Sequence, residues 1–137
     1  MVKELVHDPI LLSRKSLPAG PEDLQAAQDL LDTFLAHRKT CVGMAANMIG
    51  VYRKIIVFDN EDTPMLMLNP EIIRREGAYH TEESCLSLLG GPRETVRYEK
   101  IKVRYQTLEF QERIKTFQSW TAQIIQHEID HTQGILI

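Results

Sequence analysis

Several features that would assign this chain to a special class are scarce in its sequence. It has two cysteines among 137 residues, too few for the disulfide framework of a small secreted domain. No stretch approaches the roughly 18 consecutive apolar residues of a membrane-spanning helix. The net charge of -3 lacks the excess of Lys and Arg that binding to a phosphate backbone requires. We therefore expect neither membrane insertion nor direct contact with nucleic acid.

The N-terminal residues and the chain length indicate where and how the chain folds. Residues 1–6 contain no long apolar stretch and Asp8-Pro9 follows at once, which does not resemble a secretory signal peptide. This predicts a cytoplasmic location, in which thiols stay reduced. A chain of 137 residues can enclose one hydrophobic core but not two. We therefore expect residues 1–137 to form a single domain with a single site.

Helical periodicity at the two ends of the chain flanks extended patterns in the middle. Apolar residues at helical spacing predict an amphipathic helix from about Pro21 to Arg38, and a second helix from about Ser119 to Gln133. Between them, Ile55–Phe58 and Met65–Leu68 flank turn-forming residues and predict a hairpin. Alternation around 96–117 predicts further strands. The expected fold class is α+β, with antiparallel strands packed around the C-terminal helix and an N-terminal amphipathic helix.

The second predicted helix carries an H-E-x-x-H motif, formed by His127, Glu128 and His131. Residues four apart are about one turn apart, so both imidazoles can bind one metal ion, and Glu128 lies beside it to take a proton from water. The alternative is a chance surface run with two histidines. The apolar residues Trp120 and Ile124 on the same stripe argue against it, because burying these polar groups without a metal would be costly.

A catalytic metal site of this kind needs a third protein ligand and an open position for water. The residues after His131 contain no His, Cys, Asp or Glu, so the third ligand must lie upstream. The upstream residues with ligating side chains are Cys85, Cys41, Glu82, Glu83, His80, His37 and His7. Cys85 is favoured because it follows a polar stretch that could bend a loop, and because thiolate is a strong ligand for iron or zinc. Cys41 is the competing thiol.

Three motifs in order resemble those of the peptide deformylase family, whose members remove the formyl group from the initiator methionine of new bacterial chains. Residues 41–48 are similar to the family's G-x-G-L-A-A-x-Q, residues 83–87 to E-G-C-L-S, and residues 126–134 to Q-H-E-x-D-H-L-x-G. Asn69-Pro70-Glu71 and Arg97 also lie where the family carries N-P-E and a substrate-binding arginine. The resemblance covers nearly the whole chain.

The resemblance implies a set of roles for individual residues. Cys85, His127 and His131 would hold one ferrous ion, with zinc, nickel or cobalt able to take its place. Glu128 would act as general base and acid. The other residues implied in catalysis or substrate binding are Leu86 through its backbone N–H, Gly43 and Arg97 along the substrate backbone, and Met44 and Ile125 in a methionine pocket. For Met44 and Ile125 plain core packing is the alternative. The partners would be an N-formylated peptide and, transiently, the ribosome.

One departure from the family pattern bears directly on catalysis. Met48 stands where the family has a glutamine that donates a hydrogen bond to the developing oxyanion, and a thioether has no proton to donate. Loss of one such donor costs roughly 10²–10³ in rate, which predicts a slow enzyme. Asn47 could present an amide instead if the loop shifted. Ser84 also replaces the glycine beside Cys85.

Three functions are consistent with these residues. The first is metal-dependent hydrolysis of the N-formyl amide of an N-terminal methionine. The second is a catalytically impaired relative that binds blocked peptide N-termini. The third is a general metallopeptidase, which the lack of a downstream ligand argues against.

Overall fold

The computed structural model describes residues 1–85, 87 and 91–137. Its helices are α1 (Pro9–Leu12), α2 (Leu24–Ala36) and α3 (Ser119–Thr132), with short 3-10 turns at Pro21–Asp23 and Ala46–Ile49. Its strands are β1 (Gly43–Ala45), β2 (Ile55–Asn60), β3 (Thr63–Glu83), β4 (Arg93–Gln106) and β5 (Glu112–Gln118). Within the described residues, no helix combines the length and apolar character needed to cross a membrane.

In the described part of the chain the strands form one antiparallel sheet in the order β1-β2-β3-β4-β5, so each strand pairs with its neighbours in sequence. The predicted hairpin is confirmed: β2 and β3 pair from Ile55 with Leu68 to Asn60 with Thr63. Glu61 and Asp62 form the connection with positive φ angles of 51° and 69°. Two consecutive residues of this kind match the turn whose twist suits a two-residue hairpin loop.

The two longer helices cover opposite faces of the sheet. On β2, Ile56 and Phe58 pack in the cluster that contains residues of α3, whereas Ile55 and Val57 pack in the cluster that contains residues of α2. Alternate residues of a strand point to opposite faces, so a strand covered on both sides is apolar throughout. The α+β fold class is confirmed, and α3 packs against β1, β2 and β4.

The observed boundaries differ from the predicted ones at three places. The first long helix begins at Leu24 after a 3-10 turn and ends at Ala36, two residues before the predicted Arg38. β3 runs on to Glu83, and two irregularities interrupt its pairing with β4, one at Asn69-Pro70 and one between Ile72 and Arg74. Asn69 takes a positive φ of 51° there, and its side-chain oxygen accepts from the Ala19 backbone N–H at 2.7 Å. This extension of β3 carries the chain to Cys85.

Candidate active site

The structure brings together the three residues expected to bind a metal. One ligand atom from each of Cys85, His127 and His131 lies within 4.8 Å of the others. The two histidines are one turn apart on α3, and their ring centroids are 4.7 Å apart. Cys85 reaches them because it lies two residues beyond the end of β3. Among the described residues this is the group whose chemistry suits a metal ion.

His127 is held by a carboxylate on the side away from the cluster. Its Nδ1 lies 2.7 Å from Glu83 Oε1, an arrangement in which Nδ1–H donates and Nε2 is left for a cation. Burial lowers the pKa of His127, but hydrogen bonds to Cys85 and Glu83 outweigh this effect and raise it to about 10. A cation between Cys85 and His127 would take the place of the hydrogen bond that joins them.

His131 is buried and neutral. Its Nε2 lies 3.2 Å from the backbone oxygen of Ile137. Burial, and after it the positive charge of His127, lowers the pKa of His131 to about 3. A neutral imidazole is the form that binds a metal, so His131 needs no deprotonation at pH 7.

Glu128 is a buried carboxyl group with an unsatisfied oxygen. It is 3% exposed, and its Oε1 has no hydrogen-bond partner among the described residues. Burial raises the pKa of Glu128 to about 7, although the charge of His127 opposes the shift. A carboxyl group whose pKa lies near neutrality can both accept and release a proton at physiological pH.

The donor set fits a divalent transition-metal ion. One thiolate and two imidazoles are ligands that iron and zinc accept, and three protein ligands leave a coordination position open. Glu83 supplies the kind of carboxylate that commonly orients a metal-binding histidine. Glu128, one of whose carboxyl oxygens is unsatisfied, lines the cavity beside this cluster.

Arg97 does not occupy the position expected of a residue that contacts the substrate. It is 4% exposed, and its guanidinium contacts Glu83 at 2.7 Å and Asp130 at 2.6 Å. A buried guanidinium needs such partners, because an unpaired buried charge is costly. The structure therefore corrects the sequence expectation: Arg97 joins β4 to the end of β3 and to α3. Sequence reasoning missed this role of Glu83, which it treated only as a possible metal ligand.

A cavity of about 430 Å³ opens onto the cluster. One wall is formed by α3, through Trp120, Gln123, Ile124, His127 and Glu128. A second wall is formed by residues 40–43 and Met48, and residues 82–85 at the end of β3 complete the lining.

Gly43 lines this cavity, and the resemblance gives it a role in binding the substrate backbone. The atom nearest to the position of a Cβ at residue 43 belongs to Glu128. A Cβ atom at Gly43 would lie 2.8 Å from Glu128 Oε2 and 2.9 Å from Ile124 Cγ2. Distances this short cannot be kept, so a side chain at residue 43 would displace the carboxyl group or the helix. The absence of a side chain at Gly43 is therefore what makes room for Glu128.

Met44 and Ile125 lie in the core rather than at the cavity. Met44 is fully buried in the cluster on the α2 side, because it alternates along β1 with Gly43 and Ala45. Ile125 is fully buried between α3 and the sheet. For both residues the structure shows the core packing that the sequence analysis gave as the alternative to a methionine pocket. The apolar residues that line the cavity are Val42, Ile124, Trp120 and Met48.

The second wall, formed by residues 40–43 and Met48, offers few side-chain groups that could donate a hydrogen bond to a substrate. Met48 lines the cavity, and its sulfur lies 3.5 Å from the Ala45 backbone nitrogen, from which it accepts. The Asn47 amide nitrogen instead donates to the His131 carbonyl at 3.0 Å and to the Leu12 carbonyl at 3.3 Å. Asn47 is thus committed to the protein interior and does not replace the missing glutamine. Leu86, whose backbone N–H was expected to contact the formyl oxygen, lies outside the described residues.

Cys41 lines the same cavity but differs from Cys85. Its thiol donates to the Gly43 carbonyl at 2.7 Å. Burial, with the charge of Glu128 second, raises the pKa of Cys41 to about 12. Cys41 is not among the ligand atoms that lie within 4.8 Å of one another, so among the described residues Cys85 is the thiol of the candidate metal site.

An antiparallel sheet whose closing helix presents an H-E-x-x-H pair to a cysteine defines a metal-dependent hydrolase. The family model described as polypeptide deformylase matches residues 4–137. The chain belongs to this family.

Similar proteins agree with the assignment. A peptide deformylase of Clostridium beijerinckii is 47% identical over 137 residues, which are the full length of both chains. The crystal structure of peptide deformylase from Thermus thermophilus superposes with a TM-score of 0.87 and 33% identity, covering 99% of this chain and 83% of that one. The Met-Ala-Ser-bound class I type b peptide deformylase of Acinetobacter baumannii gives a TM-score of 0.87 at 28% identity, covering 99% and 97%.

Proposed function

We propose that this chain hydrolyses the N-formyl amide of the N-terminal methionine of nascent peptides. The observation that carries the proposal is the meeting of Cys85, His127 and His131 within 4.8 Å, beside a buried Glu128 with an unsatisfied oxygen. The tripeptide Met-Ala-Ser, bound to the Acinetobacter relative, is what deformylation of formyl-Met-Ala-Ser would leave.

Cys85, His127 and His131 would hold the metal ion. When bound, the ion supplies Lewis acidity, lowering the pKa of water and polarising the formyl carbonyl. Glu83 holds His127 through Nδ1 so that Nε2 faces the ligand cluster. Arg97 in turn holds Glu83, which makes it a positioning residue.

Glu128 moves the proton in this proposal. Its carboxylate takes a proton from the attacking water, and the resulting acid delivers that proton to the amide nitrogen as the C–N bond breaks. The products are formate and a free N-terminal amine, so the atoms of one water molecule are accounted for. A pKa near 7 suits both halves of this transfer.

Substrate binding would use both walls of the cavity. Gly43 lines the cavity and is the proposed backbone contact for the peptide, while the space that a side chain would fill is taken by Glu128 and Ile124. Val42, Ile124 and Trp120 offer apolar contacts for the methionine side chain. The backbone N–H of Leu86 is the proposed donor to the formyl oxygen, and Met48 adds none. We infer that the chemical step is slower than with a glutamine at position 48.

Ferrous iron is the proposed ion, with zinc, nickel or cobalt able to occupy the same ligands. Since its substrates are nascent chains, we place the activity in the cytoplasm, with transient contact to the ribosome and residues 1–137 acting as one domain. A role restricted to binding blocked N-termini is not favoured, because the ligand cluster and Glu128 are intact. A general endopeptidase activity has no specific observation in its support.

The test is formate release from formyl-Met-Ala-Ser after anaerobic loading with Fe²⁺. We expect turnover above that of free Fe²⁺, and we expect the Cys85→Ser variant to lose most of it through weaker metal binding. Cys41→Ser is the matched control, since Cys41 is a protonated thiol on the same cavity. No turnover by the loaded wild-type protein would refute the proposal.

A further inference from the structure

A series of hydrogen bonds extends from the candidate metal ligand His127 through Glu83 and Gln123 to Tyr79 on β3. Glu83 Oε1 lies 2.7 Å from His127 Nδ1, and Glu83 Oε2 accepts from Gln123 Nε2 at 2.9 Å. Gln123 Oε1 accepts in turn from the Tyr79 hydroxyl at 3.4 Å. Gln123 and His127 are one turn apart on α3, so both side chains lie on the helix face that contacts Glu83.

The carboxylate of Glu83 is saturated by these donors. Oε1 accepts from His127 and from Arg97 Nη2 at 2.7 Å, while Oε2 accepts from Arg97 Nε at 2.9 Å and from Gln123. Arg97 binds the carboxylate in a bidentate way through Nε and Nη2, which fixes the plane of the carboxylate. Gln123 provides the remaining donor to Oε2. Without Gln123 that oxygen would face the cavity, where water or a substrate group could compete for it.

Gln123 also forms part of the cavity wall and is half-buried there. A polar side chain between the apolar residues Trp120 and Ile124 is not explained by contact with a methionine side chain. It is explained by Glu83, because an amide has one group to donate to the carboxylate and another to accept from Tyr79. Gln123 therefore has a structural role as the hydrogen-bond partner of Glu83 and Tyr79, in addition to any contact with the substrate.

We propose that Gln123 is a positioning residue for the metal centre: by completing the hydrogen bonds of Glu83, it fixes the orientation and tautomer of His127. The inference rests on the metal site in the proposed function. It does not depend on which amide is hydrolysed. Partners that hold a metal-binding histidine in this way commonly change metal affinity by roughly 10- to 100-fold when they are removed.

The experiment compares Gln123→Leu with Gln133→Leu, an identical substitution at the exposed end of the same helical segment. Co²⁺ affinity is measured without peptide, by competition with a chromophoric chelator, together with the thiolate-to-cobalt absorption band. We expect Gln123→Leu to bind Co²⁺ roughly 10- to 100-fold more weakly and to shift the band. We expect Gln133→Leu to match the wild type. Tyr79→Phe should weaken binding by a factor of about two to three, because its hydrogen bond is long.

A second readout separates orientation from general damage. In the zinc-loaded protein, the Nδ1 proton of His127 should exchange with solvent faster in Gln123→Leu than in Gln133→Leu. Equal Co²⁺ affinities and equal exchange rates in these two variants would overturn the proposal. If Gln123→Leu does not fold, Gln123→Met, which keeps the side-chain length, takes its place and is judged by the same two measurements. If neither variant folds, Tyr79→Phe takes their place, and a Co²⁺ affinity and exchange rate equal to those of Gln133→Leu would overturn the proposal. Wild-type protein that binds Co²⁺ but releases no formate would refute the proposed function and leave this test intact.

Discussion

The two walls of the cavity differ in how fully their polar groups are used. On the α3 wall, His127 and Gln123 are tied through hydrogen bonds to Glu83, which Arg97 also grips. On the second wall, the Thr40 hydroxyl and the Cys41 thiol donate to backbone carbonyls, and Val42, Gly43 and Met48 add apolar groups and backbone. In the proposed function, the first wall would serve metal binding and proton transfer, whereas the second would contact the substrate and stabilise an oxyanion poorly. On this proposal, the chain keeps the groups that generate a nucleophile and is weaker where charge would develop on the substrate.

The largest expected effect comes from removing the proton carrier of the α3 wall. Glu128→Gln keeps the shape of the side chain but cannot take a proton, so formate release should fall by roughly 10²–10⁴. Metal content should not change, because Glu128 is not in the ligand cluster. The exposed Glu82→Gln on the same cavity is the control and should retain wild-type turnover. A Glu128→Gln rate within threefold of wild type would assign proton transfer to another group.

Restoring a donor on the weaker wall should produce the next largest effect. In Met48→Gln, the amide oxygen can accept from the Ala45 N–H in place of the sulfur, which leaves the amide nitrogen to donate to the developing oxyanion. We therefore expect kcat to rise by up to about 10²-fold. Met48→Leu has no donor and should give no gain. Steady-state kinetics on formyl-Met-Ala-Ser measure both variants. Equal rates for the two would mean that another group already stabilises the oxyanion.

Removing the charge of Glu83, which accepts hydrogen bonds from His127, Arg97 and Gln123, should lower the free energy of unfolding by an amount that depends on pH. Burial raises the pKa of Glu83, but hydrogen bonds from His127, Arg97 and Gln123 outweigh it and lower the pKa to about 2. A depressed pKa contributes stability that is present above pH 4.5 and is lost as the pH falls toward 2. Glu83→Gln should therefore lower the free energy of unfolding by up to about 3 kcal/mol at pH 7, and by less as the pH falls below about 4.5.

Denaturant unfolding of metal-free protein between pH 7 and pH 3 measures the Glu83 contribution. Glu82→Gln, at the exposed neighbouring residue, should change the unfolding free energy by less than about 0.5 kcal/mol. A Glu83→Gln deficit that is independent of pH would show that packing, not ionisation, explains the loss.

The smallest expected effect tests the contact between the two walls. Gly43→Ala would place Cβ 2.8 Å from Glu128 Oε2, and a shift of a few tenths of an ångström in Glu128 should lower kcat about tenfold. Gly20→Ala is the control, since its Cβ would meet the flexible carboxyl group of Glu22 at the surface. Unchanged kcat in Gly43→Ala would show that Glu128 has room to move without loss.

The parts of this site that could be predicted from sequence are those set by local spacing. His127 and His131 meet because four residues make about one helical turn, and the β2–β3 hairpin follows from its two-residue connection. The role of Arg97 could not be predicted, because its partners are distant in sequence: Glu83 becomes its neighbour through the pairing of β3 with β4, and Asp130 through the packing of α3 on β4. Met44 was misplaced because β1 has three residues, too few for its alternation to be recognised.

The position of α3 in the chain has a consequence for biosynthesis. Two of the three candidate ligands lie on this helix, which follows every strand of the described sheet, while the third lies 42 residues before the first of them. During translation, Cys85 leaves the ribosome well before its partners, so the three-ligand site cannot form until α3 has emerged and docked. Metal uptake would then report that synthesis and folding of this part of the chain are complete.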